Sequence, residues 1–378
     1  MKYNTALPFF HKEDIENIIP EFEEILKGNG LFTKGPKVKE FEKLFSKYIG
    51  SKKGIAVNSG TSALEISLKA IGITNSDEVI IPVQTFVSTG SCVINNGGTP
   101  IFCEIDENHL IDFEDLKTKI TINTKAVIIV HFCGLIHPDI LKIRAYLKKN
   151  HIFLIEDAAH AHGAKVNNIF AGNIGDFGCF SFYSTKIMTT GGEGGFITVN
   201  DEKYYNRCAS ISAIGIDKES EKEIYTLAGS NNRMTEFQAI MGIYQLRKLE
   251  NFVKHRNMVV KIYKNKLSKL IDKGLIRFQE YPKNIRHPYW RFMVILNDDK
   301  MKREKIKEKL KIKNINIDWP YQPLLHLQPV FNKYRKDNFE KSVNISKKHL
   351  CLPLHLKVQT EDAEYISDEF LRCIEDSR

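Results

Sequence analysis

Between residues 54 and 200 the chain repeats one device: a short apolar run, then a segment of helical spacing. The runs are Gly54–Val57, Glu78–Ile81, Thr99–Cys103, Ala126–His131, His151–Ile155, Phe177–Tyr183 and Gly195–Val199. None shows the apolar–polar alternation of a half-exposed strand, which suits strands covered on both faces. Helical patterns such as SALEISLKAIG, DFEDLKTKI and PDILKIRAYLKKN separate many of them. This order predicts a mostly parallel sheet with helices on both sides, and ligands of such sheets sit beyond the carboxyl ends of the strands.

On either side the texture changes. Residues 12 to 50 carry two amphipathic patterns around a loop punctuated by Gly28, Gly30, Gly35 and Pro36, and Pro20 is expected to break or offset the first helix. After residue 235 comes one long helix or two in series, then the candidate strand YWRFMVIL, a lysine-rich amphipathic helix from DKMKREKIKEKLKIKN, the stretch INIDW and a closing helix. We read these as a smaller α/β unit, with the division inside the long helix: 1–245 for the larger unit and 246–378 for the smaller. At 378 residues, the length suits two units of the usual size of roughly 150 residues.

Composition narrows the class. No run of about 20 apolar residues offers a membrane span, and the N-terminus reads without the features of an export signal. Seven cysteines, with no C-x-x-C pair, signal neither a disulfide framework nor a zinc ribbon, and a reducing cytoplasm is expected. The net charge of +9 reads as a solubility feature. The lysine stripe after residue 300 lacks the interleaved aromatics of a nucleic-acid surface, so no nucleic-acid partner is expected.

Three segments place chemistry at strand ends. In IAVNSGTSALEI a strand runs through Asn58-Ser59-Gly60-Thr61-Ser62 into a helix, reading either as an anion cradle or as an N-capped helix. In HIFLIEDAAHAHGA a buried strand ends on Glu156-Asp157, an acid placed for a ribose, a metal, a protonated ring nitrogen or a helix cap. His160 and His162 lie two apart, the wrong spacing for a helical metal pair, so no metal is expected. In FGCFSFYSTKIMTTGGEGG, Lys186 sits between an aromatic strand and a glycine-rich turn, where burial would favour a neutral, nucleophilic amine. Phosphate cup, carboxylate and lysine are together what pyridoxal phosphate requires. A nicotinamide site is disfavoured, since no G-x-G-x-x-G follows the first strand.

The landmarks GPKVKEFEKLF, NSGTSALEISLKAIGI, DEVIIPVQTFVST, IEDAAHAHGA, GDFGCFSFYSTK, GGEGG, GSNNRMTEFQA and LPLH identify the chain as similar to the DegT/DnrJ/EryC1/StrS aminotransferases, from about Gly28 to about Leu354. The resemblance implies a fold-type I architecture, with a mostly parallel seven-stranded sheet and a smaller C-terminal unit. It implies that Lys186 binds pyridoxal phosphate covalently and shuttles the proton, and that Asp157 pairs with the pyridine nitrogen. Thr61, Ser62 and Ser181, beside Gly60, become phosphate contacts, Phe86 the stacking ring, and His160 a neighbour of the phenolic oxygen. Asn231 becomes a contact to the neighbouring subunit's phosphate, which implies a homodimer with shared sites. Tyr321 and His326, in the loop DWPYQPLLHLQPVF, become substrate contacts.

Relatives with histidine in place of the lysine act as dehydratases; here Lys186 is present. The turn Phe132-Cys133-Gly134 departs from the family's usual Tyr-Gly-Gln. The implied activity is amino transfer from L-glutamate to a nucleotide-linked keto-deoxy sugar for surface glycans. A small phosphorylated ketone or a keto-cyclitol stands as an alternative acceptor, and a non-aminating enzyme or a regulatory protein as an alternative class.

Overall fold

The computed structural model describes residues 2–216, 224–298 and 300–376. The chain opens with α1 (Lys12–Glu24) and α2 (Pro36–Ile49). Pro20 does not end α1; it lies inside it. The residue is exposed, so the one ladder bond a proline cannot make is lost on the solvent side, where water replaces it.

The predicted strand–helix series follows. It comprises β1 (Lys53–Val57), α3 (Gly60–Ala70), β2 (Glu78–Pro82), α4 (Val87–Asn95), β3 (Thr99–Cys103), α5 (Phe113–Lys119), β4 (Thr124–Val130), α6 (Ile140–Lys149) and β5 (Phe153–Asp157). A two-strand excursion, β6 (Lys165–Val166) and β7 (Ile169–Phe170), precedes β8 (Phe177–Ser181), β9 (Gly195–Val199) and α7 (Glu202–Ser212). The seven expected strands form one sheet in the order β1-β9-β8-β5-β4-β2-β3. The run from β8 through β5, β4 and β2 to β3 is parallel, and β9 is antiparallel to both its neighbours. Side chains of successive residues enter opposite cores: Val127 and Ile129 pack in one apolar cluster, Ala126 and Ile128 in the other. Both faces are thus buried, which is why the strands read as unbroken apolar runs.

The long pattern after residue 235 is a single helix, α8 (Glu236–Lys266), with a Thr235/Gln238 capping box. Its early residues Ala239 and Ile243 pack in the core beneath the large sheet, and Val259, Val260 and Tyr263 pack in a second core. That core is built on α9 (Ser268–Asp272), β10 (Ile276–Phe278), β12 (Phe292–Leu296), α10 (Arg303–Ile312), β13 (His349–Leu352) and α12 (Thr360–Glu375), whereas β11 (Ile285–Arg286, which pairs with β6) and α11 (Glu340–Ser346) lend Ile285 and Ile345 to the clusters on the two faces of the large sheet. The small antiparallel sheet runs β10-β12-β13. Phe292, Val294 and Leu296 face the small core, while Met293 and Ile295 face the large one. INIDW does not become a strand; Ile315 and Asp318 make isolated bridges to Tyr3 and Cys351. Among the described residues no helix is long and apolar enough to cross a membrane.

Candidate active site

At the carboxyl ends of β5 and β8 a cavity of about 610 Å³ opens, lined by Gly60, Thr61, Phe86, Asp157, His160, Ser181, Lys186 and Tyr321 among others. Eight of the residues singled out in the sequence therefore meet in one space. Ser62 stands just behind it: its hydroxyl donates to Asn58 Oδ1 at 2.6 Å, and its backbone N–H is capped by Ser59 Oγ at 3.1 Å.

The cavity is built from the sheet outward. At the end of β5, Glu156 and Asp157 point to opposite faces. Glu156 is fully buried and accepts from the N–H groups of Gly172, Ile174 and Gly175 and from His131 Nε2, so its charge serves the scaffold. Asp157 turns into the cavity, accepting from Thr89 Oγ1 at 3.1 Å and from the Ala159 N–H at 3.2 Å. Burial raises its pKa, and the Ala159 bond, the Lys186 charge and the Thr89 bond oppose that rise.

Across the cavity, Ser59 caps α3, and the end of β8 presses against this helix start. A Cβ added at Gly60 would stand 2.7 Å from Ser181 Cβ, so only glycine admits the approach. Thr61 donates to Ser88 Oγ at 2.8 Å. The helix N-terminus and its hydroxyls form a ready anion cradle.

Lys186 leaves β8 through a tight loop. Its N–H bonds to Tyr183 O, and the Thr190 N–H and Thr189 hydroxyl return to Phe182 O. Its Nζ lies 4.5 Å from the centre of the Trp290 ring. Burial, assisted by the Arg291 charge and opposed by Asp157, lowers the amine from 10.5 to about 7.

His160 stacks on Trp290 with centroids 3.6 Å apart and planes 8° from parallel, and its Nε2 is 2.7 Å from Tyr321 Oη. Burial and the nearby Lys186 charge hold the imidazole neutral. Tyr321 adopts a left-handed φ of 65°, and Phe86, 52% exposed, lies 5.9 Å from its ring.

Two expected residues lie elsewhere. His326 is fully buried against Phe102 and Phe339, away from the cavity wall. Its loop folds back as expected, but its short turn pins Leu325 N–H to Val83 O and turns His326 into the apolar layer. Asn231 is exposed and does not line this chain's cavity. The divergent turn Phe132–Gly134 is buried and does not line the cavity; the Phe132 ring supports Tyr321 from behind at 5.8 Å.

Sequence reasoning passed over Trp290 and Arg291. Arg291, 6% exposed, donates to Thr5 O at 2.7 Å and pairs with Asp318 at 3.3 Å while lining the cavity. The available signal was Trp290 itself, one of only two tryptophans, opening an apolar strand.

Comparison with known proteins identifies the family. Residues 12–371 match the DegT/DnrJ/EryC1/StrS aminotransferase family. The chain is 35% identical to the spore coat polysaccharide biosynthesis protein SpsC of Bacillus subtilis, covering 95% of this chain and 94% of SpsC. It is 31% identical to the GDP-perosamine synthase of Escherichia coli O157:H7, covering 91% and 92%. Among solved structures, NtdA of Bacillus subtilis with the cofactor PMP bound superposes with a TM-score of 0.88 at 27% identity, covering 99% of this chain and 86% of NtdA. The match spans the sheet, the lysine loop and the small unit together, and the chain is a pyridoxal phosphate-dependent aminotransferase of the DegT/DnrJ/EryC1/StrS family.

Proposed function

We propose that this aminotransferase moves an amino group from L-glutamate to the ketone of a nucleotide-linked keto-deoxy sugar, in the synthesis of a surface glycan. The observation that carries amino transfer is Lys186: an amine lowered to about 7 at the mouth of a cavity whose floor is a buried carboxylate. The sugar acceptor is supported by the names of the relatives, which include a GDP-perosamine synthase and a spore coat polysaccharide protein.

The cavity residues fit the cofactor. Gly60, Thr61 and Ser181 at the start of α3 would hold its phosphate, Asp157 its ring nitrogen, and Lys186 its aldehyde carbon, with Phe86 and His160 beside the ring. When bound, pyridoxal phosphate supplies a carbonyl that takes up the amino group and a ring that withdraws electrons from the adjacent C–H bond.

This chain's residues do the rest. Lys186 Nζ, whose charged form burial disfavours, takes the proton from the donor's Cα and later returns one to the acceptor carbon. Asp157, whose carboxylate form the Ala159 bond, the Lys186 charge and the Thr89 bond favour against burial, would keep a proton on the ring nitrogen. Arg291, a cation already anchored by Thr5 and Asp318, offers a counter-charge to the donor's carboxylate or the acceptor's phosphate. Tyr321 Oη, bonded to His160, reaches the acceptor.

We further propose a homodimer whose partner covers the cavity mouth. Phe86 and Tyr183 are exposed in the cavity wall with Val87 beside Phe86, and the segment bearing Asn231 bridges to Ala213, next to the exposed Ile214. Such an apolar rim suits a covered surface.

Stopped-flow absorbance tests both halves. L-Glutamate should bleach the visible band of cofactor-loaded enzyme and release 2-oxoglutarate. After glutamate is removed, a nucleotide-linked keto-sugar should restore the band. Absence of bleaching would refute the donor half, and bleaching that no nucleotide-linked keto-sugar reverses would refute the acceptor half.

A further inference from the structure

A second cavity, about 640 Å³, lies between the end of β12, the start of α10 and the segment after α11. It shares no lining residue with the Lys186 cavity. Its walls carry four cationic side chains, Lys302, Arg303, Lys347 and Lys348, against two acids, Asp298 and Glu304. The ten-residue helix α10 begins in this wall, and its N-cap, Lys302, provides no side-chain cap bond. Excess cations and a helix N-terminus select for an anion of high charge density.

Arg303 is the built element of the site. It is 5% exposed, and Nη1 donates to Ser346 O at 2.9 Å and to His349 O at 3.2 Å, so its guanidinium is fixed rather than solvated. Nη2 donates to the side-chain oxygen of Gln322, and Nε donates to Glu304 Oε1 at 3.3 Å, which leaves the second Nη2 hydrogen for a ligand.

A smaller cavity of about 410 Å³ adjoins the first and shares Arg303, Glu304, Gln322 and Lys347 with it. Its other walls are of different character: Trp319, Pro323, Leu324, Leu327 and Val343. The Arg303 guanidinium lies 4.4 Å from the Trp319 ring centre and Lys307 Nζ 4.8 Å. A cationic compartment joined to an aromatic one fits a ligand with phosphates at one end and a flat ring at the other.

We propose that this paired cavity binds a nucleoside diphosphate, its phosphates on Arg303 and Lys347 and its base against Trp319. Gln322, in the shared wall, directly follows Tyr321, so occupancy bears on the loop that lines the catalytic cavity. The occupant is either the nucleotide arm of the substrate or a free nucleotide.

The test uses the full chain without cofactor or keto-sugar, so it stands apart from the amino-transfer reading. Trp290→Phe leaves Trp319 as the only tryptophan. UDP, GDP and inorganic pyrophosphate are titrated against its fluorescence, and calorimetry on the unsubstituted chain repeats the measurement. A nucleoside diphosphate should give a saturable change at 0.1–0.2 M salt. Lys347→Glu, at an exposed position, should weaken binding roughly tenfold, as loss of a charge-assisted phosphate contact does. Pyrophosphate should bind about tenfold more weakly, for want of base stacking. In the loaded enzyme, displacement by the keto-sugar nucleotide would assign the site to the substrate's arm, and simultaneous binding would assign it to a free nucleotide. No saturable binding in the millimolar range, an unaltered affinity in Lys347→Glu, or pyrophosphate binding as tightly as the nucleotides would each overturn the proposal.

Discussion

Lys186 should cost the cofactor-free protein stability, and Lys186→Met should recover part of it. The amine falls from 10.5 to about 7 in the fold. Each pKa unit corresponds to about 1.4 kcal/mol, so the ceiling on the cost is about 5 kcal/mol. Two effects reduce the gain in the variant. The side chain is only partly buried at the cavity mouth, and methionine forfeits the cation–π contact with Trp290, worth about 0.5–2 kcal/mol. A gain of roughly 1–3 kcal/mol is expected near pH 7.

The sign follows from proton counting. Between pH 7 and 10.5 the unfolded chain holds the lysine's proton more fully than the folded one does, so the native protein gains stability as pH rises. The advantage of Lys186→Met is therefore full at or below pH 7, shrinks through pH 8 and 9, and vanishes by about 10.5. Urea unfolding of both cofactor-free proteins at pH 7 and pH 9.5 measures the gap. A variant less stable than the parent at pH 7, or a gap that does not narrow with pH, would refute the reasoning.

Trp290→Ala should open the wall beside Lys186 to water. Desolvation, the dominant cause of the lowered amine, would relax, and the acid limb of the pH–rate profile should move up by about one unit. A reduced rate with an unmoved limb would leave Trp290 a packing role alone. If Asn231 serves the partner's cavity, then Asn231→Ala mixed with Lys186→Ala should recover up to about a quarter of parental activity, since random assortment gives half heterodimers with one intact site each. Mixed samples no more active than the separate variants would exclude the shared site.

Most of the fold was legible because burial on both faces writes each strand as an apolar run. Where the reading missed, a partner decided the outcome. INIDW has strand-like composition, but β13 already pairs with β12, and Asp318 meets only Cys351 on the other edge. Pro20 suggested a helix break, yet an exposed proline costs a single bond.

At the site, Gly60, Thr61, Asp157 and Lys186 were legible because each sits at a strand end or helix start, where a short sequence sets the backbone. His326 and Trp290 were not, for opposite reasons. The letters LLHLQP do not reveal that the His326 side chain faces Phe102, because that depends on where the loop docks on β3. Trp290 lies 104 residues beyond Lys186, and only folding of the small unit onto the large one brings the indole to the amine. The local motif thus supplies the lysine and the carboxylate proposed to react, whereas distant packing brings Trp290 beside that lysine. Substitutions across the Trp290–His160 stack should accordingly shift pH dependence before they abolish chemistry, and substitutions inside the lysine loop should do the reverse.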